Sequence, residues 1–574
     1  MISSRGRLPL AGTIVSDHTH APLTPLQQST VHYRPEDEVD FVVVGSGAAG
    51  GVVAKELSTA GFRVVVLEQG PWRTEKDFVH DEIKIFQQSL LTNDWSKSPN
   101  TFRKMEKDKA ETRPALAYGR MVGGTSNHFS ANFWRFREID FKEASVKGTL
   151  AGTGFADWPI RYQDLEPYYT KVDWEVGIAG APGPYDPPRS RPYPMPPHPP
   201  KSMGVLLDQG ARKLGYKPFP APMAVASVPY NGRSQCAQCG FCLGFGCEVR
   251  AKSSSLVTMI PKAVATGRCE IRPNSYVRKI ETDARGRATG VKYFDADKKE
   301  IFQRAKAVFV CANGAETPRL LLNSKSNLFP QGLANSSGYV GKYLMFNGGG
   351  FGKGVFEHEV NGFKGLVATR VVWDHYELDP KLGLVGGGGF DYRFDSTPIG
   401  FAMNDLPPKS PTWGSAYKAL LAHNYNRTVF CFGHTTSLPV ETNSISLDPT
   451  VKDAWGVPAI RMTYQDHPQD LKLYKYFADR SEELLKASGA LQTWQPPVES
   501  QEFTVHLLGT CRMGNDPKKS VVDKFNRSHD VKNLFIVDGS SLVTSGRGQP
   551  TMTIEALAFR AGENVAGFAK RREI

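Results

Sequence analysis

One glycine-rich turn constrains this chain more than any other feature of its sequence. An apolar, β-branched run, VDFVVV (residues 39–44), precedes GSGAAG (residues 45–50), a helical stretch, and a second apolar run that ends at Glu68. Such runs predict buried parallel strands, and together the segments form a βαβ unit of about 30 residues with the dinucleotide fingerprint. The glycines let main-chain N–H groups approach a pyrophosphate, and Glu68 can accept hydrogen bonds from ribose hydroxyls.

A second glycine-rich segment, GRMVGGTSNH (residues 119–128), lies well beyond the first. Its glycines predict close approach of the backbone to a large planar ligand. We therefore expect both segments to border one cofactor site.

The rest of the chain predicts an α/β protein that also contains an antiparallel part. Residues 345–440 are rich in glycine, aromatic and β-branched residues, which favours an antiparallel sheet forming a cavity wall. Other segments predict strands at 270–281, 289–294, 307–312 and 533–541, an amphipathic helix at 468–488 and a closing helix after residue 550.

Composition excludes several classes of protein. Of 574 residues, 40% are hydrophobic and 22% charged, which argues against global disorder and against a fibrous chain. No apolar stretch approaches the ~18–20 residues that cross a bilayer. The net charge of +12 is not clustered, so no nucleic-acid-binding stripe is predicted.

Four of the eight cysteines fall in one short segment: Cys236, Cys239, Cys242 and Cys247. The spacing C-x2-C-x2-C-x4-C suits one loop wrapped around a compact metal site, and soft thiolates select iron–sulfur clusters or zinc. The spacing differs from the bacterial ferredoxin run in its last gap and in the Glu248 that follows. An iron–sulfur cluster is favoured, with a structural zinc as the alternative.

Four segments together resemble the glucose–methanol–choline (GMC) oxidoreductase family: GSGAAGG (45–51), GRMVGGTSNHF (119–129), HLLGTCRMG (506–514) and NLFIVDGSSLVTSGRGQPTMTIEALAFRAG (533–562). The resemblance implies a Rossmann-like FAD-binding α/β domain interwoven with a substrate domain whose antiparallel sheet is backed by helices. It implies an irregular arm at 1–37, an FAD domain at 38–150, 253–345 and 505–574, a substrate domain at 151–230 and 346–504, and a cysteine-rich loop at 231–252.

Within the family, the segment 232–252 is similar to the cysteine segment of bacterial FAD-dependent sugar dehydrogenases, including glucose, fructose and glucoside 3-dehydrogenase catalytic subunits. That branch implies FAD, a 3Fe–4S cluster, and onward transfer of electrons to a cytochrome or quinone. Cys236, Cys242 and Cys247 match the ligands of the branch best. Cys239 lies outside that match, so a 4Fe–4S cluster stays open.

The resemblance also implies roles for individual residues. His506 would be the base that takes the hydroxyl proton, a role that suits a neutral imidazole. Gln549 stands where the family usually has Asn or His, and it can donate to the substrate oxygen or orient it. His128 is a candidate for covalent attachment of FAD, or else packs beside the flavin. The predicted cofactor-binding residues are Gly45, Gly47, Gly50, Glu68, Arg120, Gly123, Gly124, Ser126, Asn127, His128, Val277, Asp538 and Thr551.

These inferences predict an FAD-dependent dehydrogenase that oxidises a sugar or glycoside hydroxyl and relays electrons through an iron–sulfur cluster. The alternatives are an alcohol oxidase or dehydrogenase with a non-sugar substrate and a structural metal loop, and a flavin-containing subunit without turnover. Residues 1–36 contain no export signal, so we expect either a cytoplasmic enzyme or, as favoured here, export to the periplasm with a small signal-bearing subunit. Membrane association would then occur only through partners.

Overall fold

The structure is a computed structural model that describes residue 26 and residues 28–574. Most of the predicted N-terminal arm, residues 1–25 and 27, lies outside the described residues. The strands are β1 (Val39–Val44), β2 (Val64–Leu67), β3 (Asn100–Arg103), β4 (Glu111–Thr112), β5 (Phe219–Pro220), β6 (Cys269–Arg272), β7 (Tyr276–Thr282), β8 (Ala288–Phe294), β9 (Glu300–Val310), β10 (Gly348–Val355), β11 (Arg370–Val372), β12 (Gly388–Arg393), β13 (Thr428–Thr435), β14 (Ser444–Lys452), β15 (Pro458–Thr463), β16 (Gln492–Trp494) and β17 (Leu534–Ile536).

The α-helices are α1 (Ala48–Thr59), α2 (Glu138–Phe141), α3 (Glu143–Lys147), α4 (Tyr162–Val172), α5 (Ser202–Lys213), α6 (Met259–Ala265), α7 (Asn313–Asn323), α8 (Pro398–Asn404), α9 (Gly414–Asn424), α10 (Pro468–Ala487) and α11 (Thr551–Lys570). Across the described residues, none of these helices is both long and apolar enough to cross a membrane.

A seven-stranded sheet carries the first glycine turn. Its order is β6-β2-β1-β9-β8-β7, with β17 paired to β9. The strands β6, β2, β1, β9 and β17 run parallel, and their valines are buried on both faces, as expected for a parallel sheet covered by helices. The glycine turn therefore lies at the carboxyl edge of this sheet, where open α/β sheets bind their ligands.

Strand boundaries differ from the sequence prediction at three places. The predicted strand 270–281 is two strands, because Pro273 has no N–H to donate and Asn274 adopts a left-handed φ of 51°. The predicted strand 307–312 is only the end of the eleven-residue β9. The predicted strand 533–541 ends at Ile536, since Asp538 caps a 3₁₀ turn at Gly539–Ser541.

A six-stranded antiparallel sheet, ordered β16-β10-β13-β12-β11-β5, forms the second layer. Because side chains alternate along a strand, its two faces differ in chemistry. Phe390 and Tyr392 of β12 join an apolar cluster with Leu473 and Phe477 of α10, whereas Arg393 points into a cavity. The backbone of α10 packs against β10, where a Cβ on Gly350 would lie 2.2 Å from Ala478 N.

A four-stranded sheet, β14-β15-β3-β4, completes the fold. The predicted combination of a parallel α/β layer with a helix-backed antiparallel sheet is confirmed. The boundaries of the predicted domains stay a prediction.

Candidate active site

A cavity of about 730 Å³ separates the glycine turns from the six-stranded sheet. This volume falls within the range of about 300–1,000 Å³ that is common for ligand sites. The predicted residues that line the cavity are Gly45, Gly47, Glu68, Gly124, Ser126, His128, Val277, His506, Asp538, Gln549 and Thr551. The other predicted cofactor residues, Gly50, Arg120, Gly123 and Asn127, are not part of this lining.

The first glycine turn leaves open space where a phosphate group would lie. Gly47 is the N-cap of α1, and a Cβ there would meet only Gly124 Cα, 4.0 Å away. A Cβ on Gly50 would instead lie 2.0 Å from the Gly45 carbonyl oxygen. Gly47 thus keeps the cavity open, whereas Gly50 allows the turn to close behind it.

Glu68 holds the glycine turn in place. Its carboxylate accepts hydrogen bonds from Ser46 N at 3.1 Å, from Ser46 Oγ at 2.7 Å and from Gly70 N at 3.0 Å. Burial raises the pKa of Glu68, although these three donors oppose the increase. The predicted contact of Glu68 with ribose stays a prediction.

The second glycine segment contributes one face of the cavity. His128 is buried, and its Nε2 has no hydrogen-bond partner among the described residues. Burial, with a smaller effect of Lys252, lowers the pKa of His128 to about 4, so the ring is neutral. Asn127 Nδ2 donates to Val122 O at 2.8 Å and shapes the turn, while Arg120 stacks on Trp455 at 4.5 Å.

Asp538 joins the end of β17 to the start of α7. Its carboxylate accepts from Ser540 N at 2.7 Å, Thr317 Oγ1 at 2.6 Å and Asn313 N at 3.1 Å. Much of its hydrogen-bonding capacity is therefore used within the protein. Its predicted contact with the cofactor stays a prediction.

The residues present fit a flavin dinucleotide. An open glycine N-cap, a buried acid and a buried ring nitrogen without a partner border one continuous cavity. A helix N-terminus of this kind favours phosphate.

His506 belongs to the segment that connects β16 to β17, and it lines the cavity. Burial, assisted by His434 and Arg393, lowers the pKa of its ring to about 4. A neutral imidazole that faces a cavity can accept a proton at physiological pH.

Gln549 contacts His434, a histidine to which the sequence analysis assigned no role. Gln549 Nε2 lies 3.1 Å from His434 Nδ1, and His434 Nε2 lies 2.9 Å from Asp391 Oδ2. Asp391 also accepts from Arg393 Nε at 2.7 Å, from Arg393 Nη2 at 2.6 Å and from Asn132 Nδ2 at 3.1 Å. Sequence reasoning missed this cluster because its members come from separate segments. The only signal in the sequence was the alternation of residue types in DYR (391–393) and FGH (432–434), which places Asp391 with Arg393, and Phe432 with His434, on one face of a strand.

The protonation states of Asp391 and His434 follow from their burial and their neighbours. Burial alone would raise the pKa of Asp391, but Arg393 and His434 outweigh it and hold that pKa well below the usual range. Burial lowers the pKa of His434, despite the opposing effect of Asp391. At neutral pH the cluster is therefore an Asp391–Arg393 ion pair beside a neutral His434.

The structure does not gather the four predicted metal ligands, Cys236, Cys239, Cys242 and Cys247, into a metal site. Within residue 26 and residues 28–574, no three side chains of His, Cys, Asp or Glu are arranged to hold a metal ion. The loop instead holds the four cysteines at different depths, with Cys239 exposed and the other three half-buried. Main-chain contacts shape the loop instead, and Gly244 N donates to His128 O at 2.8 Å.

Comparison with known proteins agrees with this geometry. Two family models described as GMC oxidoreductase match residues 39–345 and 439–558. The chain is 36% identical to 2-methyl-1,2-propanediol dehydrogenase of Mycolicibacterium austroafricanum, over 92% of this chain and 95% of that protein. It is 30% identical to the fructose dehydrogenase large subunit of Gluconobacter japonicus, over 93% and 98% of the two chains.

Among solved structures, pyridoxine 4-oxidase from Mesorbium loti shares the fold. The TM-score is 0.63 at 18% sequence identity, over 92% of this chain and 98% of that one.

Proposed function

Since this chain belongs to the GMC oxidoreductase family, we propose that it is an FAD-dependent dehydrogenase that oxidises a hydroxyl group with a second hydroxyl beside it, as in a vicinal diol or a sugar. The observation that carries the proposal is the cavity shared by the glycine turns, His506 and the polar face of β12 and β13. The names of two relatives support it, because 2-methyl-1,2-propanediol and fructose both carry adjacent hydroxyl groups.

When bound, FAD supplies the acceptor for the hydride that leaves the carbinol carbon. His506 accepts the hydroxyl proton at a ring nitrogen, and the carbon–oxygen bond becomes a carbonyl. Its low pKa keeps that nitrogen unprotonated at neutral pH. The apolar and polar side chains that line the cavity around it orient the substrate.

Anaerobic bleaching of the flavin absorbance tests this proposal. The probes are 2-methyl-1,2-propanediol, fructose, glucose and methyl glucoside. We expect at least one to bleach the wild-type flavin, and we expect His506→Ala to slow bleaching by about 10²- to 10⁴-fold at unchanged FAD content. His423→Ala, an exposed histidine on α9, is the matched control and should keep the wild-type rate. Failure of all four probes, or a His506→Ala variant as fast as wild type, would refute the proposal.

The iron–sulfur relay is kept as a separate proposal, and it concerns the cysteine loop. Its support is electrostatic: three cations surround the loop, and their hydrogen bonds shown in the described part of the chain go to neutral oxygens. Lys252 Nζ donates to Cys242 O and Phe245 O, and Lys201 Nζ donates to Gly362 O and Leu366 O. Arg233 donates to three carbonyls within 3.3 Å and to Ser253 Oγ at 3.0 Å.

Buried cations are normally paired with a negative group, so an anionic occupant of the loop would balance them. The chemistry of four thiols fits an iron–sulfur cluster, but their arrangement in this structure does not. We therefore derive no electron-transfer step through a cluster.

Metal analysis of protein purified without oxygen tests the relay. We expect iron and acid-labile sulfide in the wild type, both lost in Cys242→Ser, and retained in Cys269→Ala, a buried cysteine on β6. Zinc without sulfide would instead favour the structural metal alternative. Absence of both metals would remove the relay while leaving the dehydrogenase proposal intact.

The electron acceptor and the cellular location of the protein are also proposals. We propose a cytochrome or quinone as the electron acceptor, and export to the periplasm together with a signal-bearing subunit. Cell fractionation and co-purification with the native partner test both. A cytoplasmic protein that purifies alone would contradict them.

A further inference from the structure

The amide of Gln549 belongs to a hydrogen-bond chain that fixes which of its atoms faces the substrate. The chain runs from Asp391 through His434 to Gln549, and all three residues are at least nine-tenths buried. Both His434 and Gln549 also line the cavity that contains His506.

The direction of each hydrogen bond follows from what each group can donate. An ionised carboxylate can only accept, so the 2.9 Å contact with Asp391 places the ring proton of His434 on Nε2. Nδ1 of the neutral ring is then an acceptor. It requires a donor from Gln549, and the amide nitrogen Nε2 is the donor that side chain has, at 3.1 Å.

Arg393 does not reverse this assignment, although its Nη2 lies 3.0 Å from His434 Nε2. One hydrogen of Nη2 donates to Asp391 at 2.6 Å and the other is free to face His434, but an unprotonated Nε2 would set its lone pair against the ionised Asp391 Oδ2 at 2.9 Å, which disfavours that tautomer.

With its nitrogen directed at His434, Gln549 has its carbonyl oxygen Oε1 left for a ligand in the cavity. The reacting hydroxyl has a single hydrogen, which goes to His506. Oε1 therefore has no hydrogen to accept from the reacting hydroxyl. Among the groups of the substrate, only another hydroxyl has a hydrogen for it to accept.

We propose that Asp391 and His434 are positioning residues that present Gln549 Oε1 as the acceptor for the neighbouring hydroxyl of the substrate, so that this chain selects diols and polyols over mono-alcohols. The inference rests on the proposed function and specifies its substrate class. Sites built to bind a hydroxyl reject the analogue that lacks it, since a polar group of the site is then left unpaired.

The test compares a substrate with its analogue that lacks the neighbouring hydroxyl, in the full-length, FAD-loaded protein. For 2-methyl-1,2-propanediol the analogue is 2-methyl-1-propanol; if a sugar bleaches the wild-type flavin instead, the matching deoxy sugar is used. We expect the wild-type ratio of the flavin-reduction efficiencies to be at least about 100. In Gln549→Met and in His434→Leu this ratio should fall below about 10, mainly because the diol reacts more slowly.

Two further variants separate positioning from packing. His434→Gln can accept from Gln549 and donate to Asp391, so it should retain most of the wild-type ratio. The double variant His434→Leu/Gln549→Met should be no worse than Gln549→Met alone, because His434 acts through Gln549. If His434→Leu does not retain FAD, His434→Asn replaces it, since that side chain is too short to reach both partners.

The outcomes are distinct. A wild-type ratio near 1, a His434→Leu ratio equal to the wild-type value, or additive losses in the double variant would overturn the inference, although the dehydrogenase proposal would stand. If none of the diol or sugar probes bleaches the wild-type flavin, both proposals fall.

Discussion

At the scale of single residues, the active site is organised by burial and by charge. His506 is a neutral base because burial, with His434 and Arg393 nearby, disfavours its charged form. Burial also keeps His434 neutral, whereas the neighbouring Arg393 keeps Asp391 ionised in spite of burial. A base with an unperturbed pKa of about 6.5 would be half protonated close to neutral pH.

The low pKa of His506 predicts the pH dependence of flavin reduction. The proton-accepting form is complete above about pH 5 and is lost as the pH falls through about 4. We therefore expect the rate constant at saturating substrate to be nearly equal at pH 5.5 and pH 7.5, as measured by anaerobic stopped-flow absorbance. A tenfold lower rate at pH 5.5, with FAD content unchanged, would show an ordinary histidine pKa and contradict the geometry.

At the scale of elements, sequence patterns predicted best where one local rule decides the structure. The run at 39–44 is β1 at its predicted bounds, because a buried parallel strand is apolar throughout. The helix predicted at 468–488 is α10, because one apolar stripe packs on one sheet. The cluster around Gln549 could not be predicted in this way. His434 and Asp391 are 43 residues apart, and only the pairing of β12 with β13 brings them together.

The turn between β1 and α1 allows cofactor binding to be separated from folding. A methyl group at Gly47 meets no atom closer than 4.0 Å, whereas one at Gly50 would lie 2.0 Å from a carbonyl oxygen. We expect Gly47→Ala to leave the thermal midpoint of the deflavinated protein unchanged while lowering its FAD occupancy. Gly50→Ala should lower the midpoint itself, because overpacking costs about 1–3 kcal/mol.

Flavin absorbance per protein and thermal denaturation of the deflavinated protein measure the two effects. Full FAD occupancy in Gly47→Ala would show that this glycine does not border the cofactor. An unchanged midpoint in Gly50→Ala would show that the turn relaxes freely.

At the scale of the whole molecule, a buried ion cluster joins parts of the chain that are far apart in sequence. Arg547 precedes Gln549 by two residues and is 2% exposed. It pairs with Asp140 of α2 and, at 2.6 Å, with Glu143 of α3. The Tyr376 hydroxyl, from the segment between β11 and β12, also donates to Asp140 at 2.6 Å. The segment carrying Gln549 is thereby tied to α2, to α3 and to the segment between β11 and β12.

Loss of this cation should destabilise the protein as a unit. Arg547→Met leaves Asp140 and Glu143 buried without their partner, and breaking such a buried pair costs about 3–5 kcal/mol. We expect a lower urea midpoint at pH 7 by flavin fluorescence and circular dichroism together. Arg571→Met, whose pair with Glu573 is exposed, should unfold at the wild-type midpoint.

The sign of the pH effect makes this prediction sharper. Burial, reinforced by Asp140, already raises the pKa of Glu143 despite Arg547, and removal of the cation should raise it further. A carboxyl group whose pKa is raised in the folded protein lowers the free energy of unfolding as the pH rises through that pKa. The loss of stability in Arg547→Met should therefore be smaller at pH 5 than at pH 7. Arg547→Met/Glu143→Gln should then recover part of the midpoint at pH 7. A deficit that is constant over this range, or a midpoint equal to that of wild type, would show that the cluster does not hold these segments together.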